Sequence, residues 1–211
     1  MVMSAELALF PELRDHFNRV YDLLMGDDGP RGATPLLDVG TGNGSGLAAT
    51  VSGTALRGLA LDIRAPAEWL GPPGYPFVIG DGQALPFATD AFPTVLQMEV
   101  GEWLPDPVAA LREAARVAKR RVVVVHTDWQ SLWFDSSEPE TSQEFTRLFA
   151  GPRPASSPGV ILEEQMQAGG LTSFRHDIHV IRGEQVADET YATHLLILLR
   201  EWLCNQSGAV R

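Results

Sequence analysis

Residues 36–46 read LLDVGTGNGSG, and this stretch limits the fold more than any other part of the chain. A short apolar run ends in an acidic residue and then breaks into alternating glycines. That pattern predicts a buried strand, a tight turn and the start of a helix. Glycines at positions 40, 42 and 44 allow backbone conformations that a Cβ forbids, and the start of a helix suits an anionic ligand group.

The same turn departs from two phosphate-binding patterns. Ser45 stands where the dinucleotide fingerprint needs its third glycine, and no lysine follows the turn as the triphosphate-binding loop requires. The turn therefore lacks the residues that typically bind a pyrophosphate or a triphosphate. A dinucleotide-dependent oxidoreductase stays a disfavoured alternative.

Two further apolar runs also lead into acidic residues. Residues 59–63 read LALDI and place Asp62 22 positions after Gly40. Nucleotide-binding α/β folds place a ribose-binding acid at about 20 positions. Residues 80–87 read GDGQALPF, an acid-bearing loop after a predicted third strand. Because these runs occur in order, they indicate one nucleoside site better than the glycine turn does alone.

In this order the three segments resemble the motifs of class I S-adenosylmethionine-dependent methyltransferases, nearest to the small-molecule branch. The resemblance continues through residues 92–107, 111–117 and 122–125 and covers roughly half of the chain. It implies S-adenosylmethionine as cofactor and methyl transfer to a small organic acceptor through an O, N or C nucleophile. It also implies three groups of contacts: Asp38, Gly40, Gly42 and Gly44 with the methionine part, Asp62 with the ribose, and Ile63, Asp81 and Gly82 with the adenine.

The chain departs from the family pattern at four places. Pro93 follows Phe92 where an acid is usual, and Glu102 replaces a common histidine. Residues 119–121 read KRR in place of a proline- and glycine-bearing turn, and no seventh strand is evident after the last predicted helix. Two alternatives therefore stay open: a cofactor-binding enzyme that does not methylate, such as a cyclase, and a binding module.

Predicted strands and helices alternate along the chain, which predicts a three-layer, doubly wound α/β fold with a mostly parallel, Rossmann-like sheet. The chain is predicted to form one domain over residues 1–211. The predicted strands are 35–39, 57–62, 76–79, 94–100 and 121–127, and the predicted helices are 44–53, 66–70 and 107–118. A helical lead-in over 5–25 carries Arg19 and Tyr21, which either touch the cofactor or lie at the edge of a packed helix.

The second half of the chain has a different organisation. Residues 129–158 are predicted to form a lid insertion, with a short helix at 144–149. Their aromatic residues either form the apolar inner wall of a lid over the substrate or anchor the segment to the core. Residues 160–168 are predicted as a helix, 174–181 as a half-buried antiparallel strand and 189–203 as an apolar final helix. With an open sheet edge, that helix predicts a homodimer.

Composition narrows the partners. A net charge of −11 argues against nucleic acid, whose phosphates need a clustered basic surface. The single cysteine, Cys204, suits a reducing cytoplasm, and neither an export signal nor a membrane-spanning run is evident. No cluster with metal-ligand spacing is found, so no metal is predicted.

Candidate bases for an acceptor hydroxyl lie after the fourth and fifth predicted strands. They are Glu99 and Glu102 on the first and His126 and Asp128 on the second, and His126, Asp128 and Glu102 are the predicted catalytic residues. His126 has a side chain that titrates near neutral pH. It also ends a run of four valines, where a hydrogen-bonded histidine at a sheet terminus is the simpler interpretation.

Overall fold

The computed structural model describes residues 10–26, 35–133, 139–150 and 159–182, together with Thr190, Thr193 and Leu195. Its strands are β1 (Pro35–Val39), β2 (Arg57–Asp62), β3 (Phe77–Ile79), β4 (Phe92–Met98) and β5 (Ala118–Val125). Its helices are α1 (Pro11–Met25), α2 (Ser45–Val51), α3 (Pro107–Val117), α4 (Pro139–Ala150) and α5 (Gly159–Ala168). Single 3₁₀ turns cover Gly101–Trp103 and Trp129–Ser131.

The five strands form a parallel sheet in the order β3-β2-β1-β4-β5. Parallel strands need both faces covered, and alternate residues of β1 serve the two faces. Leu36 packs in a cluster with Val20 of α1 and Leu47 of α2, whereas Leu37 packs in a cluster with Val117 of α3. The predicted Rossmann-like α/β class is confirmed, and the order of the strands reverses between β1 and β4, where such folds bind ligands.

Two predicted elements are wrong. Residues 66–70 form no helix, because Pro66, Gly71 and the prolines that follow leave too few residues to nucleate one. Residues 174–181 pair with no strand in the described part of the chain, and Ile178 is 89% exposed. Alternation of apolar residues alone does not supply a neighbouring strand.

The bounds of β4 and β5 also shift towards the amino end. Pro93 is accommodated where the β4–β5 register slips between Phe92 and Thr94. The basic residues 119–121 belong to β5 rather than to a turn, and the Arg121 guanidinium donates to the carbonyls of Leu23 and Leu24 at the end of α1 (3.3 and 3.4 Å).

The remaining described elements lie within a few residues of prediction, except that α4 is longer than predicted. The predicted final helix 189–203, Cys204 and residues 134–138 and 151–158 of the insertion lie essentially outside the described residues, so the homodimer stays a prediction. Of the described helices, none has the length and apolar character needed to cross a bilayer.

Candidate active site

The glycine turn joins β1 to α2 with open space above it. Gly40 and Gly42 have φ angles of +78° and +59°, which residues with a Cβ rarely adopt. A Cβ on Gly40 would overlap the side chain of Val100, whereas one on Gly42 would meet nothing within 4 Å. The turn is therefore packed against the segment that follows β4 on one side and is open to a ligand at Gly42.

Asp62 ties the end of β2 to this turn. Its carboxylate accepts hydrogen bonds from the N–H of Gly42 (2.8 Å) and of Arg64 (3.2 Å). The Leu61 carbonyl accepts from Gly40 N–H (2.8 Å) and Thr41 N–H (3.1 Å). A carboxylate has about four acceptor positions, so two remain on Asp62 for ligand hydroxyls.

Asp38 lies beneath the turn and is only 2% exposed. Burial, which disfavours the charged form, raises the pKa of Asp38 to about 7. The nearby Thr41 hydroxyl lowers this pKa, and the Asp62 carboxylate raises it further. A positively charged ligand group placed above the turn would favour the ionised form of Asp38.

The third acid-bearing segment reaches the same edge of the sheet. Gly80 N–H donates to the Asp62 carbonyl (2.9 Å), and a Cβ on Gly82 would stand 3.0 Å from Val39. The Asp81 carboxylate accepts from the N–H of Gln83 (2.8 Å), which fixes the turn that follows.

Two helix α3 residues anchor the end of this segment. Leu85 N–H donates to Glu113 (2.8 Å), and Arg116 donates to the carbonyls of Leu85 (3.0 Å) and Phe87 (2.8 Å). At the same edge of the sheet, Ile63 and Ile79 are 62% and 63% exposed and offer apolar surface.

A second group of titratable side chains follows β4 and β5. Ligand atoms of Glu99, Glu102 and His126 all lie within 4.8 Å of one another. Thr127 donates to Glu99 through its hydroxyl (2.7 Å) and its N–H (3.2 Å). The indole N–H of Trp129 donates to the fully buried Glu102 (2.7 Å).

The acid–imidazole cluster, formed by Glu99, Glu102 and His126, includes an unusual backbone conformation and adjoins a small cavity. Glu99 has a φ of +55°, a conformation that non-glycine residues adopt mostly where surrounding structure imposes it. A cavity of about 20 Å³ lies beside Glu102 and His126, closed by Leu162 and Gln165 of α5. That volume suits one water molecule.

Asp128, unlike the other predicted bases, is not part of the cluster and caps a turn instead. Its carboxylate accepts from Gln130 N–H (3.1 Å) and caps the 3₁₀ turn Trp129–Ser131. Arg19, which was expected either to touch the cofactor or to lie at the edge of a packed helix, pairs with Asp177 (3.3 Å).

The predicted lid is described only in part. Trp129 is 2% exposed and belongs to the core, while Trp133 is 70% exposed. A shallow depression of about 440 Å³ lies between residues 130–133 and α4. The side chains of Phe134, Phe145 and Phe149 are outside the described part.

Sequence reasoning missed one further neighbour of the turn, Trp69, because the segment that carries it was predicted to be helical. Its indole packs beside Gly44. The prolines and glycines around it were the available signal for an irregular segment.

Comparison with known families decides the assignment. Residues 37–125, from β1 to the end of β5, match the model of the methyltransferase domain family. This stretch matches a methyltransferase domain, and its parallel sheet has the Rossmann-like fold. The match contains all eight predicted cofactor contacts and Glu102. His126 and Asp128 follow its last residue.

Solved structures share the fold of this chain at low sequence identity. A candidate methyltransferase of Bacillus halodurans is 16% identical and has a TM-score of 0.55, with 74% of this chain and 68% of that chain covered. A candidate S-adenosyl-L-methionine-dependent methyltransferase of Methanococcus maripaludis is 13% identical (TM-score 0.54; 79% and 78% covered). The [4+2]-cyclase SpnF is 20% identical (TM-score 0.55; 74% and 57% covered). No curated protein sequence matches the chain significantly.

Proposed function

We propose that this methyltransferase transfers the methyl group of S-adenosylmethionine to a small organic acceptor through an O, N or C nucleophile. One observation carries the proposal. Val100, which packs on Gly40 of the glycine turn, lies in the chain between Glu99 and Glu102. The acid–imidazole cluster is therefore next to the turn, where an acceptor would meet the methyl group.

The residues at the turn fit the cofactor. We assign the methionine part to Asp38, Gly40, Gly42 and Gly44, since an ammonium group above the turn would favour the ionised form of the buried Asp38 carboxylate. We assign the ribose hydroxyls to Asp62, whose carboxylate keeps acceptor positions beyond its two backbone donors.

The adenine is assigned to Ile63, Asp81 and Gly82. Exposed Ile63 supplies apolar surface for a base, and Gly82 allows close approach beside Val39. Asp81 lies in the same segment and is available to the exocyclic amine of the base.

When bound, S-adenosylmethionine supplies a methyl group already activated by its sulfonium charge. The protein then has to hold the acceptor in line with that methyl group and exclude water. We assign to Glu102 and His126, whose ligand atoms lie within 4.8 Å of each other and of Glu99, the removal of a proton from an acceptor hydroxyl or ammonium. We assign Asp128 to the support of this cluster, because its carboxylate caps the turn that carries Trp129.

Charge favours a small acceptor over a nucleic acid. The segments that follow the strands, residues 62–71, 80–83, 99–106 and 126–133, contain seven carboxylates and one arginine, Arg64. The basic residues 119–121 lie at the opposite end of β5. A polyphosphate backbone would be repelled at this edge.

Incubation with methyl-labelled S-adenosylmethionine and a panel of small phenols, amines and carbon acids tests the proposal. We expect label in an acceptor, together with stoichiometric S-adenosylhomocysteine. The fold is also that of a [4+2]-cyclase, so a second outcome is defined: conversion of a substrate without label would replace methyl transfer by a cyclase-like activity.

Substitution of the cluster is expected to lower turnover without loss of the cofactor. Glu102→Gln keeps an acceptor for the Trp129 indole but cannot take a proton, and His126→Asn likewise removes a base. Because general base catalysis contributes about 10²–10⁴-fold, we expect kcat to fall by about 100-fold with a hydroxyl acceptor. Exposed Glu164 on α5 offers the matched control Glu164→Gln. Unchanged kcat in both cluster variants would contradict this assignment.

A further inference from the structure

The last residue of β2 and the connection from β2 to β3 contact three consecutive residues of the glycine turn. The Asp62 carboxylate accepts from Gly42 N–H (2.8 Å), and Leu70 N–H donates to the Asn43 carbonyl (2.8 Å). The third contact is made by the Trp69 indole at Gly44. No helix forms between β2 and β3, and the backbone N–H of Leu70 is bonded to the turn instead.

Trp69 fits between two glycines. A Cβ on Gly44 would stand 2.6 Å from the Trp69 ring and 2.6 Å from the Gly71 Cα, and a Cβ on Gly71 would overlap the indole. The ring also packs edge-to-face on Phe77 of β3, with ring centroids 5.5 Å apart. The indole is thus in contact with both the turn and β3, and both glycines are needed to admit it.

From these contacts we infer that Trp69 is a positioning residue for the cofactor turn. It touches the backbone at Gly44, two residues from the open position at Gly42, and so limits the freedom of the turn in the absence of ligand. Pre-ordering of the turn lowers the entropy that cofactor binding has to offset. The inference rests on the proposed role of the turn in holding S-adenosylmethionine.

Trp69→Ala should weaken S-adenosylhomocysteine binding by about tenfold or more, equivalent to about 1.4 kcal/mol. Trp69→Phe keeps an aromatic ring between the glycines and should recover most of this affinity. Binding is measured by calorimetry at a temperature where every variant is folded. The control is Val117→Ala, which truncates a fully buried side chain at the carboxyl end of α3. This variant should lose stability but bind S-adenosylhomocysteine as the wild type does.

Hydrogen–deuterium exchange of the cofactor-free protein gives a readout that needs no ligand. Trp69→Ala should speed exchange in residues 41–46 more than Val117→Ala does, and Trp69→Phe should restore protection. Equal exchange in this segment in all variants, or unchanged affinity in Trp69→Ala, would overturn the inference. If Trp69→Ala shows the faster exchange but the wild-type protein binds no S-adenosylhomocysteine, the proposed function is overturned and the effect of Trp69 on the turn is not.

Discussion

Asp62→Ala is expected to lower the affinity for S-adenosylhomocysteine by about 100-fold. Two hydrogen bonds from ribose hydroxyls to a carboxylate are worth roughly 1.5–3 kcal/mol each, so their loss exceeds the 2.7 kcal/mol that such a change requires. The substitution also releases Gly42 N–H, which Asp62 holds at 2.8 Å. Isothermal titration calorimetry of the two proteins measures the difference.

Two further variants separate loss of the Asp62 charge from loss of its hydrogen bond to the turn, and both from a general effect of removing a carboxylate. Asp62→Asn keeps a side-chain oxygen for Gly42 N–H but loses the charge, so its affinity should lie between those of the wild type and the alanine variant. Glu164→Ala removes an exposed carboxylate from α5 and should bind as the wild type does. If Asp62→Ala binds within about threefold of the wild type, a difference below 1 kcal/mol, Asp62 is not the ribose contact.

Asp38→Asn is expected to change the pH dependence of folding stability. The pKa of Asp38 is raised from 3.8 to about 7 in the folded protein, so the folded state binds a proton that the unfolded state has released. Stability from this group is therefore full below about pH 4, falls as the pH rises to about 7, and is constant above that. The rise of this pKa from 3.8 to about 7 corresponds to about 4 kcal/mol in the free energy of unfolding.

Chemical denaturation between pH 4 and 8.5 tests this prediction. Asparagine carries no charge, so the stability of Asp38→Asn relative to the wild type should increase by up to about 4 kcal/mol across that range. At pH 8 the variant should also bind S-adenosylhomocysteine more weakly, because it lacks the charge proposed for the ammonium group. Parallel stability curves for the two proteins would show that Asp38 does not titrate in this window.

The strand ends of the site were predictable because each carries a local signal. An apolar run followed by Asp62, or by the turn at Gly42, is typical of a buried strand that leads into a loop, and parallel strands bring their carboxyl ends together. The order of the strands then places the glycine turn, Asp62 and the segment around Asp81 at one edge. The structure has these segments in contact through Gly42, Asp62 and Gly80.

Other features depend on contacts between distant residues. Glu99 and His126 become neighbours only through the β4–β5 register, in which Met98 lies opposite Val125. No single-strand pattern reveals that pairing, so the spacing of ligands along the chain indicated no cluster. The helix predicted at 66–70 fails for a local reason instead, because Pro66, Gly71 and the prolines that follow leave too few residues to form one. The contact of this segment with the turn, in which Leu70 N–H bonds to the Asn43 carbonyl, does depend on distant residues.

A crystal structure of the protein with S-adenosylhomocysteine tests the central claim most directly. We predict the ribose at Asp62, the amino-acid part over Gly42 above Asp38, and the sulfur turned towards Glu99, Glu102 and His126. Ligand density at any other place on the protein, or a vacant turn at saturating ligand, would contradict the account.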